Sequence, residues 1–210
     1  MAIQLGSTNF GAIYLGSTKI GQAYLGSVKV YGSQLVLPPH TIRCKFTSGY
    51  TPTKGDTQTL VDADENIWDI YKSINDWSSL LYNIPELESV IGANTTGVTS
   101  MSGMFTGCSS LTNIPLFDTS SASYLNSMFN ECSSLTAVPL FDTSSAINMN
   151  YMFSGCTNVA SGAYALYQQA SSQSTPPSAH SSCFRNCGRD TVTGAAELAM
   201  IPASWGGKAS

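Results

Sequence analysis

The segment Met104-Phe105-Thr106-Gly107-Cys108-Ser109-Ser110-Leu111-Thr112-Asn113-Ile114-Pro115-Leu116-Phe117-Asp118-Thr119-Ser120 recurs on a 24-residue period, with Met128-Phe129, Cys132-Ser133-Ser134-Leu135-Thr136 and Val138-Pro139-Leu140-Phe141-Asp142-Thr143-Ser144 intact. A third copy keeps Met149, Met152-Phe153, Cys156 and Val159. One period back, Ile74, Trp77, Leu81, Ile84, Leu87 and Val90 fall on the positions of Val98, Met101, Phe105, Cys108, Leu111 and Ile114, which makes a degenerate leading unit. Phe184 and Cys187 preserve the Phe-to-Cys spacing but follow Phe153 and Cys156 by a longer, 31-residue step. The fifth unit therefore carries a seven-residue insertion, expected in the polar stretch Ser171 to Pro177.

A fixed period of this length is the pattern of units that cannot bury their apolar side alone and must stack on their neighbours. The fold class expected is a repeat solenoid of about five coils, with an all-β meander of short strands before it. Within a unit, Met101, Met104, Phe105 and Cys108 have helical spacing, while Leu111 to Leu116 reads as a short strand that Pro115 ends or holds at an edge. Trp77 and Trp205 are expected to cap the two ends. Asp118 and Asp142, each followed by Thr-Ser and with Asn94 at the equivalent place, are expected to serve as turn and N-cap residues.

The first forty residues repeat on a different period. Ile3-Gln4-Leu5-Gly6-Ser7, Ile13-Tyr14-Leu15-Gly16-Ser17 and Ala23-Tyr24-Leu25-Gly26-Ser27 are spaced by ten. Gly-Ser between alternating apolar residues suits a two-residue type II′ hairpin, because glycine reaches positive φ without steric cost. Strands this short bury too little area to stand alone. Their company is the rest of the chain, further copies in a trimeric β-prism, or the surface of a larger particle; Tyr14, Leu15, Tyr24, Leu25 and Val30 are the candidate assembly residues. Pro38-Pro39 closes the segment, giving a division into 1–37 (β repeat), 38–70 (a β bridging segment with strands at Thr41–Phe46 and near Thr59–Val61) and 71–210 (the stacked units with a C-terminal cap).

Of the 210 residues, 10% are charged and 42% apolar, and the net charge is -4. With nine Lys+Arg against thirteen Asp+Glu, no basic patch is available for a phosphate backbone, so no nucleic-acid partner is expected. No apolar run approaches a membrane span, and the start lacks the basic region of a secretory signal. Stacked units set like residues side by side about 5 Å apart, so a repeated charge would repel its own copies; the low charge content fits that arrangement.

The units Met-Phe-x-x-Cys-Ser-Ser-Leu-Thr-x-x-Pro-Leu-Phe-Asp-Thr-Ser resemble the BspA-type leucine-rich repeats of bacterial surface proteins, also seen in mycoplasma-type lipoproteins. The stretch Thr193 to Gly207 resembles the C-terminal cap of such arrays, and the Leu-Gly-Ser decamers are similar to the starts of gut-phage virion and tail-associated proteins. The resemblance implies adhesion or structural interaction on a leucine-rich-repeat-like α/β solenoid, not catalysis. Together with the missing export signal, it implies a virion protein assembled in the host cytoplasm: a fibre, a head decoration or a tail component. Its partners would be other virion proteins, further copies of itself with a trimer among the arrangements, and a host surface protein or glycan. A purely structural capsid or tail clamp, and a bacterial cell-surface adhesin, are the alternative readings.

Chemistry-bearing motifs are sparse. The chain has two histidines, His40 and His180, and contains no Gly-x-Ser-x-Gly, Walker loop or His-Glu-x-x-His. Asp62-x-Asp64-x-Asn66 starts like an EF-hand loop, but Ile67 stands where glycine is needed and Ser73 where a bidentate glutamate should sit. His180, Cys183 and Cys187 lack a fourth zinc ligand. No enzyme activity and no cofactor or metal is expected, and the regularly spaced cysteines read as small buried apolar residues. Positions that vary between units are expected to face solvent: Ser100, Tyr124 and Asn148; Ser102, Asn126 and Asn150; Gly103, Ser127 and Tyr151. Tyrosine among asparagine and serine suits glycan or protein contact.

Overall fold

The computed structural model describes residues 37–209 and, in the earlier chain, the backbone of four short strands. The chain divides into two compact units, Met1–Pro38 and Pro39–Ser210. In the first, β1 (Ile13–Leu15) pairs antiparallel with β2 (Thr18–Ile20), and β3 (Gln22–Leu25) with β4 (Val28–Tyr31). Leu15 is opposite Thr18 and Leu25 opposite Val28, the registers of two-residue connections. The Gly-Ser pairs expected to make those turns, and the first decamer, lie outside the described residues.

The second unit opens with an antiparallel sheet in the order β6-β7-β5-β8, made of β5 (Thr41–Phe46), β6 (Thr57–Asp62), β7 (Ile67–Tyr71) and β8 (Leu87–Asn94). Ile42, Cys44 and Phe46 alternate into the core, as a half-buried strand requires. On the other face Arg43 meets its cross-strand partner Asp69 in a two-pronged ion pair, with both N···O distances 2.7 Å. The register between β5 and β8 shifts after Arg43, so that Val90 is buried and Ile91 is exposed. The turn from β6 to β7 is held by Asp62, whose Oδ1 accepts the N–H groups of Asp64 and Glu65, and by Asn66, whose left-handed backbone lets its amide donate to the carbonyls of Thr47 and Tyr50.

β8 joins this sheet to the repeats. Its far edge carries a parallel bridge from Ser89 to Asn113, and Ala137 bridges Ser161 in the same sense. The apolar side chains from Ile42 to Trp205 form one continuous buried cluster.

Segments one period apart lie side by side through a regular set of backbone bonds. The N–H groups of Met101, Gly103, Phe105 and Gly107 donate to the carbonyls of Tyr124, Asn126, Met128 and Asn130, while those of Met104, Thr106 and Cys108 donate three positions back. The same alternation ties Trp77, Ser79, Leu81 and Asn83 to Ser100, Ser102, Met104 and Thr106, and Leu125, Ser127, Phe129 and Glu131 to Asn148, Asn150, Met152 and Ser154. This alternation replaces the helix expected from apolar spacing. Residues 101–108 are a chain of turns, with left-handed backbone at Gly103 and Gly107 and at their counterparts Ser127, Glu131, Tyr151 and Gly155. A helix would spend every N–H within its own segment and leave the next one unbonded. The strand expected over Leu111 to Leu116 is reduced to the bridge at Asn113, and Pro115 has no N–H to extend it.

Aromatic side chains follow the same register. Phe129 stacks on Phe105 at 5.2 Å and on Phe153 at 5.1 Å between centroids; Phe184 follows at 6.1 Å, and Trp205 at 6.4 Å closes the column. Trp77 is fully buried at the other end. Ile74 is 54% exposed where its counterpart Val98 is fully buried, so the leading unit matches the others only from Trp77 onward.

Buried Thr95 and Thr119 donate through Oγ1 to the carbonyls of Asp118 and Asp142, and Thr143, next in this row, accepts from Gln173 instead. The exchange falls within the lengthened step, which lies between the bridges Ala137–Ser161 and Asn148–Ala179. That span holds the polar stretch Ser171 to Pro177 and also α1 (Ala163–Ser171), whose Ala163, Leu166 and Ala170 face the core. The helix α2 (Val192–Met200) follows the last repeat, with Thr191 at its N-cap accepting the Gly194 N–H at 3.1 Å.

Candidate functional site

The varying positions form a ladder. Asp76, Ser100, Tyr124, Asn148 and Ala179 are joined in succession by parallel bridges, each from one segment to the next. Tyr124 is 50% exposed at the centre of that column, while Ser100 and Asn148 on either side are half-buried. Two positions further along, Asn126 Nδ2 donates to Ser102 Oγ at 2.6 Å, and Asn150 Oδ1 accepts the N–H of Ser181 at 2.7 Å. Ser100 Oγ lies 2.7 Å from Ser78 Oγ, and Asn148 Oδ1 accepts the Asn150 N–H at 3.0 Å.

These contacts revise the inference from variability. Side chains at the Ser102 position bridge neighbouring segments and are half-buried. At the next position the residue type varies while the backbone does not: Gly103, Ser127 and Tyr151 have φ of 62°, 56° and 58°, and Gly103 is buried whereas Tyr151 is 43% exposed. Variation there reflects tolerance of a left-handed conformation as well as access to solvent. Tyr124 and Tyr151 are large exposed aromatic surfaces among the described residues, as are Tyr71 and Tyr82.

Asp118 and Asp142 hold turns, with no helix after them. Asp118 Oδ1 accepts from the N–H and Oγ of Ser120, and Asp142 Oδ1 accepts the Ser144 N–H at 2.8 Å. Hydrogen bonds from Ser144 hold the Asp142 carboxyl below its ordinary range. Next to them sits a feature that variability does not reveal. Leu116 and Leu140 are 65% and 53% exposed, and with both aspartates, Phe117 and Gln169 they line a groove of about 500 Å³. The sequence signal was the repeated Leu-Phe dipeptide: neighbouring residues of an extended chain point to opposite sides, so only the phenylalanine can enter the core.

The cysteines are more than apolar filler. Cys108, Cys132 and Cys156 donate S–H to the carbonyls of Leu81, Phe105 and Phe129 at 3.0, 3.1 and 3.0 Å, each in the preceding segment. The Phe105 carbonyl also takes the Cys108 N–H, so one oxygen serves two segments. Burial pushes the Cys108 thiol up to about 12, and raises Cys132 and Cys156 well above their ordinary value. A thiol so held is poorly suited to act as a nucleophile. Cys183 and Cys187 are buried free thiols in the last repeat, and His180 stacks on Trp205 at 4.1 Å. Tyr14, Leu15, Tyr24, Leu25 and Val30 lie in β1, β3 and β4, whose side chains are outside the described residues.

No helix among the described residues is long and apolar enough to cross a membrane. No curated protein matches the chain, and no solved structure does. A family model matches residues 54–165, from the antiparallel sheet through the three regular repeats to the start of α1. The chain belongs to that family, described as "Mycoplasma protein of unknown function, DUF285".

Proposed function

We propose that residues 71–210 are a leucine-rich-repeat-like solenoid of the BspA type, and that the chain is a non-catalytic structural protein of a phage virion, in a fibre, a head decoration or a tail assembly. It uses the tyrosine-bearing ladder for adhesion to a host protein or glycan. The observation that carries this reading is the unbroken column of parallel bridges from Asp76 to Ala179 with Tyr124 half exposed in the middle. Such a column fixes each side chain relative to its neighbours, so little ordering entropy is lost when a ligand docks. Copies set on one particle would multiply weak single-site binding through effective concentration. Other virion proteins and further copies of the chain are the proposed partners, with the decapeptide strands as the assembly element.

Virions probed with an antibody against residues 95–187 test location, and binding of the purified chain to host cells tests adhesion. Labelled particles, together with cell binding that falls on Tyr124→Ala plus Tyr151→Ala, are the expected results. Unlabelled virions would defeat the virion assignment, and undiminished binding by the double variant would defeat the ladder as the contact.

The internal bonding of Asn126 and Asn150 favours a second reading, in which the stack clamps neighbouring particle subunits and meets no receptor. Labelled virions that lose the protein's neighbours when it is deleted, with no host binding, would select it. Labelling of bacterial cells in place of virions would select a cell-surface adhesin.

A further inference from the structure

The groove beside α1 combines features that specify an occupant. Its apolar part is Leu116 and Leu140, equivalent residues of adjacent segments, both exposed above buried Phe117. Its polar part is acidic, because Asp118 and Asp142 both line it and no lysine or arginine does. Neither aspartate belongs to an ion pair among the described residues, where the pairs are Arg43–Asp69, Lys45–Glu88 and Arg189–Asp190. Each carboxylate holds its turn through Oδ1. The neighbouring Phe117 and Phe141 rings are 5.1 Å apart between centroids and Thr119 Oγ1 donates to the Asp142 carbonyl, so the two like charges stand in adjacent segments, an arrangement that a cation relieves. The side by α1 is fixed, since Gln169 Nε2 donates to the Phe141 carbonyl at 2.7 Å.

We infer that this groove binds an extended peptide segment of a partner protein in which a lysine or arginine stands next to a leucine-sized apolar residue. The apolar side chain covers Leu116 and Leu140, and the cation lies against Asp118 and Asp142. Neighbouring side chains of an extended peptide point apart, so alternation of the two kinds presents one to the floor and the other to the acidic rim. A phosphorylated or nucleic-acid ligand would meet the carboxylates with like charge. The tyrosine ladder is made of other residues, so this site stands or falls independently of adhesion there.

The test uses the full chain and fluorescein-labelled pentapeptides of alternating lysine–leucine, glutamate–leucine and lysine–serine, read by fluorescence anisotropy at low and high salt. The lysine–leucine peptide should bind about tenfold or more tightly than either control, and lose affinity as salt rises. Asp118→Asn plus Asp142→Asn should weaken it about tenfold, as should Leu116→Ser plus Leu140→Ser. The asparagine variants keep the turns, because Asn94 already fills the equivalent place and its Oδ1 accepts the Thr96 N–H. Unchanged circular dichroism and melting temperature would verify that they fold. Equal binding of the glutamate–leucine peptide, unaltered affinity in the asparagine variant, or no binding of any peptide would overturn the proposal. So would concentration-dependent dimers in sedimentation that vanish with the leucine substitutions, since a second copy would then be the occupant.

Discussion

Glu197, on α2, caps a helix other than its own: its Oε2 accepts the Tyr164 N–H at 3.0 Å, and its Oε1 accepts that of Gly162 at 3.3 Å, both at the start of α1. The residue at the N-cap of α1 is Gly162, which has no side chain to satisfy the free N–H groups there. A carboxylate at that end also meets the positive pole of the helix. Glu197→Ala should therefore cost about 1–2 kcal/mol in urea denaturation. Glu197→Gln, which keeps an acceptor without the charge, should cost less. Equal losses in the two variants would show that the negative charge at the helix start, and not a neutral acceptor or side-chain volume, is what matters.

Gly194 tests the contact between α2 and the repeats. On helix propensity alone Gly194→Ala would stabilise the protein by about 1 kcal/mol. An added Cβ, however, would lie 2.1 Å from the Val159 carbonyl oxygen and 2.5 Å from Thr191 Oγ1. The oxygen belongs to backbone in the third repeat and cannot rotate away, so the clash decides the sign. We expect a loss of about 2 kcal/mol or more, comparable to overpacking a core. Thr193→Ala, at the exposed neighbouring position, is the control and should leave the melting temperature nearly unchanged.

The phenylalanine column predicts a graded series. Phe129 is fully buried and stacked on both sides, so Phe129→Ala should destabilise by about 3–5 kcal/mol. Phe129→Leu should cost under about 2 kcal/mol, since the leading unit already carries Leu81 at this position. Chemical denaturation of both variants would check the order; a leucine variant as damaged as the alanine one would count against interchangeable units.

The thiols predict an alkaline limit to stability. All six cysteines are buried and held above the ordinary value of 9.0, Cys108 at about 12. The folded chain keeps these protons where the unfolded chain releases them. Their contribution is thus fully present below pH 9.0 and is lost as pH rises from there toward the folded values. The urea midpoint should fall between about pH 8 and about pH 10, and a thiol-reactive reagent should label the native chain far more slowly than the unfolded one. A midpoint independent of pH over that range would contradict the buried, protonated arrangement.

Much of the packing register is legible in the sequence. The repeat period set Phe105, Phe129 and Phe153 in one column and Cys108, Cys132 and Cys156 in another, and the longer last step placed Phe184 in the same stack. Burial fixes such positions by type, so repetition exposes them. The groove was less legible, because a repeated leucine reads as core until its neighbouring phenylalanine is seen to occupy the only inward direction.

Periodicity is enough to establish which residues are equivalent, where the regular units recur, and which side chains must be apolar. The path of the backbone between them depends on contacts between segments. Met101 to Cys108 has the spacing of a helix and forms turns, because alternate N–H groups find carbonyls in the following segment, from Tyr124 to Asn130. Those partners compensate left-handed backbone even at Ser127, Glu131 and Tyr151, where local preference opposes it. The role of Glu197 was hidden for the same reason: its carboxylate serves the N–H groups of Tyr164 and Gly162, remote in the chain and brought beside it only when the stack closes.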